Sequence, residues 1–408
     1  MRRIDALRPV PYRVPVVLGA SAGRIQKTID LKGGFSMSSN RIAAAFTGVV
    51  AGLVVGSSGL EAQTQAQPRV LKIQASWPAS STVYENLTDL AKRIDQVSGG
   101  RIKIEAMPAG QVVPAFEVLD GVHKKVIDGA HTWPGYWVGK NKAAILFTGG
   151  PGGPFGMDHM DYLGWMWHGG GLQLFHKFYQ ETLKLNVVSF PMQTASPQAL
   201  GWFKKKIDSV SDFKGQRCRE TGIAAEVFNE MGMRVVNMPG AEIMPAAERG
   251  TIDCAEWVGG IEDLRFGFHT IWKYHYAPSL HESVSIGELL INGDVWRSFS
   301  PADQELIKAT ITEVFFTWWA KWQRMNAEAV VELRDKHKVK LEHTPPEIHK
   351  EFLAAWDRLA QREADKNPVF KEVYESLRKW ASVTVPVKRF YFPPYSVAAD
   401  YYWAPEKQ

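Results

Sequence analysis

Three side chains at the ends of two apolar runs have the chemistry to bind a small organic acid. Residues 214–219 and 250–258 alternate apolar with polar positions, and they end in Arg219 and in Glu256-Trp257. We predict that both runs are strands of a parallel sheet, because ligands of open α/β sheets bind at the edge where strands end. An arginine at that edge can hold a planar carboxylate through two parallel hydrogen bonds, which a lysine cannot do.

These runs resemble the periplasmic solute-binding subunits of tripartite ATP-independent (TRAP) transporters of the DctP type, in the branch that binds 2-oxo and 2-hydroxy monocarboxylates. That branch carries a lysine-glycine-x-x-x-arginine run, here 214–219, and an isoleucine-aspartate run ending in glutamate-tryptophan, here 252–257. A glutamine, here Gln198, shortly precedes a glycine-tryptophan-phenylalanine, here 201–203. The similarity extends over residues 71–403.

The resemblance implies a ligand site with a bound cation. Arg219 would anchor the ligand carboxylate, while the side-chain oxygen of Gln198, the carboxylate of Glu256 and the main-chain carbonyl of Trp257 would hold the cation that chelates it. Oxygen ligands of this kind suit sodium or calcium rather than zinc. Tyr136 would contribute from the first lobe, and Thr194 stands where relatives donate from an asparagine. The plainer alternative is that Gln198 and Glu256 only bond neighbouring backbone.

Three positions depart from the pattern of the branch. Gly135 stands where a first tyrosine is usual, Thr194 replaces the asparagine, and Gly260-Ile261 replaces a proline and an aromatic residue. Each change shrinks or depolarises a pocket group. We therefore predict a larger pocket that prefers an acid bulkier than pyruvate, with an aromatic tail as one form.

Two other classes of function remain to be weighed against a receptor that does no chemistry. A sugar or amine receptor of the ATP-driven type would use tryptophan stacking, but a neutral sugar needs no buried guanidinium. A metal-dependent enzyme acting on an oxo acid would need a general base beside its metal, and Glu256 is already used as a ligand. The spacing of His269, His275, His281 and Glu282 matches no zinc motif, and no Gly-x-Ser-x-Gly nucleophile turn occurs.

The elements that must position these groups follow a β-α-β order. From residue 70, period-2 and helical patterns alternate as strand 70–75, helix 84–97, strand 101–106, helix 115–125 and strand 126–131. This order predicts an α/β fold with parallel strands. A chain of 408 residues exceeds the ~250–300 residues of a single core, so we expect two lobes, as in periplasmic binding proteins.

A helix that spans both lobes and an added helical segment complete the predicted fold. Ser300-Pro301 is a strong helix start, and the helical pattern continues to Lys336, a length of ~50 Å. Further amphipathic helix covers 345–380, with a break at Asn367-Pro368. The predicted division is: leader and signal 1–65, lobe I 66–190, lobe II 191–282, return to lobe I with the long helix 283–340, and C-terminal helical segment 341–408. The resemblance implies TRAP permease subunits as partners and a homodimer formed through the C-terminal helices.

The remaining features concern the compartment. A positively charged start at 37–41, an apolar run at 42–60 and small residues after it are typical of a secretory signal, which favours a periplasmic protein, although the run is also long enough for a membrane span. The net charge of +5 includes one short basic run, 204–206, and gives no nucleic-acid patch. We expect Cys218 and Cys254 to be buried free thiols rather than a disulfide, because bridging adjacent strands demands unusual geometry.

Overall fold

The described part of the chain, residues 67–404 of a computed structural model, is built around two β-sheets. The predicted leader at 1–65 and residues 405–408 lie outside this part. The strands are β1 (Arg69–Ala75), β2 (Ile102–Met107), β3 (Gly129–Thr132), β4 (Val187–Thr194), β5 (Gly201–Phe203), β6 (Arg217–Arg219), β7 (Arg234–Val236), β8 (Cys254–Ala255), β9 (Tyr274–Ala277), β10 (Ile286–Asn292) and β11 (Lys340–His343).

Helices cover both sheets and form the C-terminal segment. They are α1 (Thr82–Val97), α2 (Val118–His123), α3 (Gly153–Gly156), α4 (His159–His168), α5 (Gly171–Lys177), α6 (Ala224–Glu230), α7 (Gly240–Glu248), α8 (Gly260–Phe266), α9 (Phe268–Ile271), α10 (Gly293–Arg297), α11 (Pro301–Asp335), α12 (Pro346–Lys366), α13 (Pro368–Tyr391) and α14 (Tyr395–Tyr402). Short 3-10 or π turns occupy Ala115–Glu117, Pro134–Trp137, Lys142–Phe147, Phe178–Thr182 and Val210–Phe213. Within residues 67–404, no helix combines the length and the apolar character needed to cross a membrane.

The first sheet has the order β2-β1-β3-β10-β4, and the second has the order β11-β9-β5-β8-β6-β7. The predicted parallel pairing holds for β1 with β2 and β3, and for β6 with β7 and β8. The sheets also contain antiparallel pairs that were not predicted, because β10 runs antiparallel to β3 and β4, and β5 runs antiparallel to β8 and β9. These antiparallel strands are the ones next to the places where the chain crosses between sheets.

The chain crosses from the first sheet to the second after β4 and returns before β10. β4 stays paired with β10 as far as Thr194, so the crossing lies at 195–200 rather than at the predicted boundary between 190 and 191. The return lies at 278–285. β11 pairs with β9 in the second sheet, so the chain enters that sheet once more before the C-terminal helices begin.

The long helix α11 contacts both lobes, as the sequence predicts. The side chain of Ser300 caps it by accepting a hydrogen bond from the amide of Asp303. Its 35 residues give a length of ~50 Å, and it packs against α1 and β4 on the first lobe and α8 on the second. α12 packs against α6, and α13 packs against α3 and α4, so the C-terminal segment also contacts both lobes.

The two cysteines form a disulfide, Cys218–Cys254, so the prediction of free thiols is wrong. Both residues are buried, and they are direct partners in the parallel pairing of β6 with β8, with Cα atoms 4.5 Å apart. This separation is inside the range that disulfides span, about 4.4–6.8 Å. The register of the two strands therefore brings the sulfurs together, and an oxidising compartment would keep them joined.

Candidate functional site

A cavity of about 40 Å³ lies between the two sheets and contains most of the predicted site residues. The first lobe contributes Trp77, Trp133 and Tyr136, and the second contributes Arg219, Glu220, Glu256 and Trp257. Side chains of the two crossing segments complete the wall, among them Gln198 and Glu282. The cavity is therefore formed where the ends of β6 and β8 face the first lobe across the crossing segments, as the rule for ligand sites in open sheets predicts.

Arg219 ends β6 with a side chain that is 1% exposed. Its Nη1 donates to the main-chain oxygen of Glu256 at 3.0 Å and is paired with the Glu256 carboxylate, and its Nε donates to Met238 O at 3.3 Å. Nη2 has no hydrogen-bond partner within residues 67–404. A buried donor without a partner is costly, so this nitrogen is positioned to bind an anionic ligand. Only one of the two predicted hydrogen bonds from Arg219 to a ligand carboxylate is available, because Nη1 already contacts Glu256.

Gln198, Glu256 and Trp257 converge as the cation-site prediction requires. One end of the Gln198 amide lies 2.8 Å from Glu256 Oε2 and 2.8 Å from the main-chain oxygen of Trp257, and the other lies 3.1 Å from Ser285 Oγ. With its oxygen towards Glu256 and Trp257, three oxygens meet and attract a cation. With its nitrogen there, the amide bonds both oxygens directly. The group therefore fits sodium or calcium when the amide oxygen faces inward.

The cavity wall holds two further carboxylates that the sequence analysis did not assign to the site. Glu220 follows Arg219 directly, and Glu282 lies on the return crossing, with both carboxylate oxygens unpartnered among the described residues. Burial, reinforced by the negative charge of Glu256, raises the pKa of both groups well above its usual range. Three carboxylates around one guanidinium make a site in which a bound cation would relieve repulsion.

His281 adds a ring nitrogen behind these carboxylates. Its Nε2 lies 4.0 Å from a Glu220 oxygen and 3.8 Å from a Glu256 oxygen, and ligand atoms of the three residues lie within 4.8 Å of one another. His275 is elsewhere, against Trp202 with ring centres 4.5 Å apart and the ring planes tilted by 40°, and His269 lies against His337. The histidines considered in the sequence thus do not form one site.

Tyr136 lines the cavity, whereas Thr194 does not. Burial raises the pKa of the Tyr136 phenol, so it is a neutral hydrogen-bond donor at neutral pH. The Thr194 hydroxyl instead donates to the main-chain oxygen of Val284 at 2.7 Å. Side chains alternate along β4, so the cavity receives the neighbouring Gln193 and Ala195, and the expected contact from Thr194 is not seen.

The structure removes the reason for expecting an enlarged pocket. A Cβ atom built on Gly135 would meet the ring of Trp133 at 1.9 Å, so an indole already occupies the space that the missing side chain leaves. Gly260 faces α11 instead of the cavity, and a Cβ there would meet Val330 at 2.5 Å. The prediction of a pocket widened at these two glycines is therefore wrong.

Sequence reasoning missed Trp77, Trp133, Gln193, Glu220 and Glu282 as lining residues. Two signals were present: Glu220 directly follows a strand-end arginine, and Gln193 lies at the end of a strongly apolar strand. Trp133 and Glu282 lie on opposite sides of the site and about 150 positions apart. No local pattern joins them, so only the tertiary structure identifies them.

Comparison with known proteins agrees with this fold. The model of "Bacterial extracellular solute-binding protein, family 7" (DctP) matches residues 73–367. The monocarboxylate 2-oxoacid-binding periplasmic protein of Nostoc sp. strain PCC 7120 is 32% identical over 335 residues, which are 82% of this chain and 89% of that protein.

Two crystal structures of TRAP solute-binding proteins are similar to the chain. One, from Bordetella bronchiseptica RB50, is a mixed-occupancy dimer with copurified calcium and picolinate; it has a TM-score of 0.77 and 28% identity, covering 83% of this chain and 98% of that one. The other, from Pseudoalteromonas atlantica T6c, has bound sodium and pyruvate; it has a TM-score of 0.76 and 26% identity, covering 81% of this chain and 99% of that one.

The chain belongs to family 7 of the bacterial extracellular solute-binding proteins. The predictions of a TRAP-type solute receptor and of a two-lobed binding-protein fold are thereby confirmed.

Proposed function

We propose that this receptor binds a small 2-oxo or 2-hydroxy monocarboxylate together with a sodium or calcium ion in the periplasm, and that it delivers the acid to TRAP permease subunits without changing it. Arg219 would contact the ligand carboxylate through Nη2, and Tyr136 would contact it from the first lobe. The side-chain oxygens of Gln198 and Glu256 and the main-chain oxygen of Trp257 would hold the cation, whose positive charge draws the carboxylate and the 2-oxygen together.

One observation carries the proposal: three oxygens converge next to a guanidinium nitrogen that lacks a partner. Glu256 Oε2 and Trp257 O lie 2.8 Å from one end of the Gln198 amide, and Arg219, whose Nη2 has no partner among the described residues, lines the same cavity. A cation alone would satisfy the oxygens but leave Nη2 unbound, whereas a cation with a carboxylate would satisfy both. The calcium or sodium found with picolinate or pyruvate in the two similar structures supports this pairing.

The dimensions of the cavity favour a small acid. About 40 Å³ corresponds to room for roughly three ordered waters at ~10–15 Å³ each. Since Trp133 fills the space beside Gly135, an aromatic tail would have to displace packed indole. We therefore propose an acid of pyruvate size in place of the bulkier one that the sequence favours.

We propose that binding closes the two lobes about the crossing segments at 195–200 and 278–285, with α11 limiting the motion. Ligand contacts come from both sides of the cavity, so binding would stabilise the closed arrangement over the open one. We retain the division into lobes from the sequence as part of this proposal, with the first crossing moved to 195–200.

We also propose that a second copy of the chain covers the C-terminal helices. Large apolar side chains are exposed from α13 to the end of the described residues, including Phe390 at 83% and Trp403 at 82%. α14 has no buried residue. Contiguous exposed apolar surface of this kind marks interaction sites, and the dimer of the Bordetella protein supports a homodimer as the occupant.

The cation requirement can be tested by calorimetry with pyruvate. Protein dialysed against chelator in sodium-free buffer is titrated with pyruvate, then again after addition of calcium chloride or sodium chloride. We expect at least about tenfold tighter binding with one of the two salts, because the cation would join Glu256 to the ligand carboxylate. Recovered pyruvate should be unchanged by mass spectrometry.

The matched variants are Gln198→Leu, which removes a cation ligand, and Gln323→Leu, which alters an amide near the surface that bonds Ser196. Only the first should abolish the salt dependence. Pyruvate binding that is indifferent to both salts would overturn the cation site. A protein that binds neither pyruvate nor any acid copurifying with it would overturn the proposed function.

A further inference from the structure

A buried carboxylate of the second lobe covers the start of a helix in the first lobe. Glu262 lies in α8 and is 0% exposed. Its Oε2 accepts a hydrogen bond from Ser81 Oγ at 2.6 Å, and its Oε1 accepts from the amide of Thr82 at 2.5 Å and from the Thr82 hydroxyl. Amides at a helix start lack partners inside the helix and favour negative charge. We call this group of contacts the Glu262 cap.

The Glu262 cap reaches the cavity through Trp257. The indole Nε1 of Trp257 donates to Glu262 Oε2 at 3.2 Å, while the main-chain oxygen of Trp257 belongs to the group of three oxygens beside Arg219. The same indole lies against Trp77 of the first lobe, with ring centres 6.2 Å apart. One carboxylate therefore connects the residue that would hold the cation with a helix of the opposite lobe.

Neighbouring contacts reinforce the same junction. Trp322 of α11 donates from Nε1 to the Thr82 hydroxyl at 3.1 Å. Near the surface, Arg265 of α8 pairs with Glu85 of α1 at 2.5 Å. The ion pair is one-third exposed on both sides and contributes little by itself, whereas the buried Glu262 cap accepts four hydrogen bonds.

We infer that Glu262 is a positioning residue that stabilises the closed arrangement of the lobes and couples it to the placement of Trp257. The structure, in which α8 of the second lobe contacts the start of α1, surrounds the carboxylate with donors, and we infer that this is the closed arrangement, because a carboxylate with hydrogen-bonded partners is stable in a buried place. A glutamine there would direct an NH2 group at donors of Ser81, Thr82 or Trp257. The closed arrangement would then lose stability, while an open arrangement, in which water reaches the side chain, would not.

The first test needs no ligand. Hydrogen exchange followed by mass spectrometry is measured on the peptide covering 79–90 in the parent, in Glu262→Gln and in Glu288→Gln. Glu288 is the matched control because it is a buried carboxylate that accepts from Trp137, Tyr179 and Ser189, all within the first lobe. We expect exchange at the start of α1 to be about tenfold faster in Glu262→Gln only.

The second test rests on the proposed function and uses pyruvate with calcium chloride. Glu262→Gln should weaken binding at least about tenfold, mainly through faster dissociation, because the closed arrangement is what retains the ligand. Glu288→Gln should bind as the parent does. If Glu262→Gln fails to fold, Arg265→Gln replaces it, with a change of about two- to fivefold in the same direction.

Two results would overturn the inference. One is an exchange rate at 79–90 that is the same in Glu262→Gln and the parent. The other is a loss of pyruvate affinity in Glu288→Gln equal to that in Glu262→Gln. If the parent itself does not bind pyruvate, the proposed function fails, but the exchange experiment still decides whether Glu262 holds the lobes together.

Discussion

Arg219 lines the cavity and is bonded to Glu256 through Nη1, whereas its Nη2 has no hydrogen-bond partner among the described residues. At the scale of the residue, this division of the guanidinium would let one side chain hold the proposed cation-binding carboxylate in place and still bind a ligand. The charge of Arg219 also offsets part of the repulsion among Glu220, Glu256 and Glu282.

Replacement of Arg219 should therefore remove binding while the fold persists. We expect Arg219→Ala to weaken pyruvate affinity by ~2–5 kcal/mol, at least about 30-fold, because a buried charge pair loses one partner. Arg219→Lys should recover only part of the loss, since an ammonium cannot contact Glu256 and the ligand in the same fork geometry. Calorimetry measures both variants.

The control is Arg217→Ala on the same strand, whose side chain pairs with Asp253 at 2.8 Å and is 44% exposed. It should bind pyruvate as the parent does. Parent-like affinity in Arg219→Lys would contradict the fork geometry.

Glu288 should make the stability of the protein depend on pH. Burial raises the pKa of Glu288, and hydrogen bonds from Ser189, Trp137 and Tyr179 lower it by a smaller amount, so that the pKa is about 7. Between the unfolded pKa and pH 7 the folded state holds a proton that the unfolded state releases. The contribution of Glu288 to the free energy of unfolding therefore falls as pH rises through this interval, by up to ~3 kcal/mol.

We expect Glu288→Gln to remove the part of the decrease in the free energy of unfolding that comes from Glu288, because a glutamine side chain has no proton to lose. Urea unfolding at pH 5, 6.5 and 8 measures it, with the exposed Glu372→Gln as control. The pKa values of Glu220 and Glu282 are also raised. Their contributions to the stability of the variant therefore still decrease as pH rises. Buried His131 and His275, whose pKa values are lowered, contribute with the opposite sign to the parent and to the variant alike. A Glu288→Gln variant whose stability changes between pH 5 and pH 8 as the parent's does would therefore contradict the assignment.

At the scale of the element, β6 and β8 carry the site and are joined covalently. β6 ends in Arg219, and Glu256 and Trp257 directly follow β8, so the Cys218–Cys254 disulfide lies just behind the residues that would bind ligand and cation. Fixing the register of these two strands fixes the distance between the guanidinium and the carboxylate.

Reduction of this disulfide should destabilise the protein. The bond closes a segment with a sequence separation of 36 residues, for which chain entropy predicts a contribution of about 3–4 kcal/mol. We expect the denaturation midpoint of the parent to fall on addition of reductant. The double variant Cys218→Ala/Cys254→Ala should already have the lower midpoint and should not respond to reductant. A parent that is also indifferent would show that the thiols are free in solution.

At the scale of the whole molecule, two surfaces decide how the receptor works: the cavity between the lobes and the exposed face of α13 and α14. The first would be covered by the proposed closure of the lobes, and the second would be covered by another copy. Because α12 and α13 contact both lobes, association at their exposed side would occur next to the moving parts.

The homodimer can be tested by light scattering on the full chain. The triple variant Phe390→Ser, Tyr401→Ser and Trp403→Ser removes large side chains that are each more than four-fifths exposed. We expect a dimer for the parent and a monomer for this variant, because exposed apolar area drives association. Val70→Ser, half exposed on β1, should leave the mass unchanged. A monomeric parent would contradict the proposal.

The sequence by itself determined the fold class and the long helix, and it indicated the main groups of the proposed site. Helix α11 was predictable because its cap at Ser300 and its uninterrupted pattern are local. Arg219, Glu256 and Trp257 could be singled out because each ends a strand run or directly follows it, whereas Gln198 was indicated only by the resemblance to the TRAP branch.

Only the tertiary structure decided the shape of the cavity, its added charge and the state of the cysteines. Thr194 was expected in the cavity, but the pairing of β4 with β10 turns Gln193 inward, since a shift of one residue reverses every side chain of a strand. Trp133 fills the space at Gly135. Glu282 and Glu220 line the same cavity, although they are 62 positions apart in the chain. Cys218 and Cys254 meet through strand register. Each of these depends on contacts between distant segments, and such contacts are set by packing and pairing rather than by local composition.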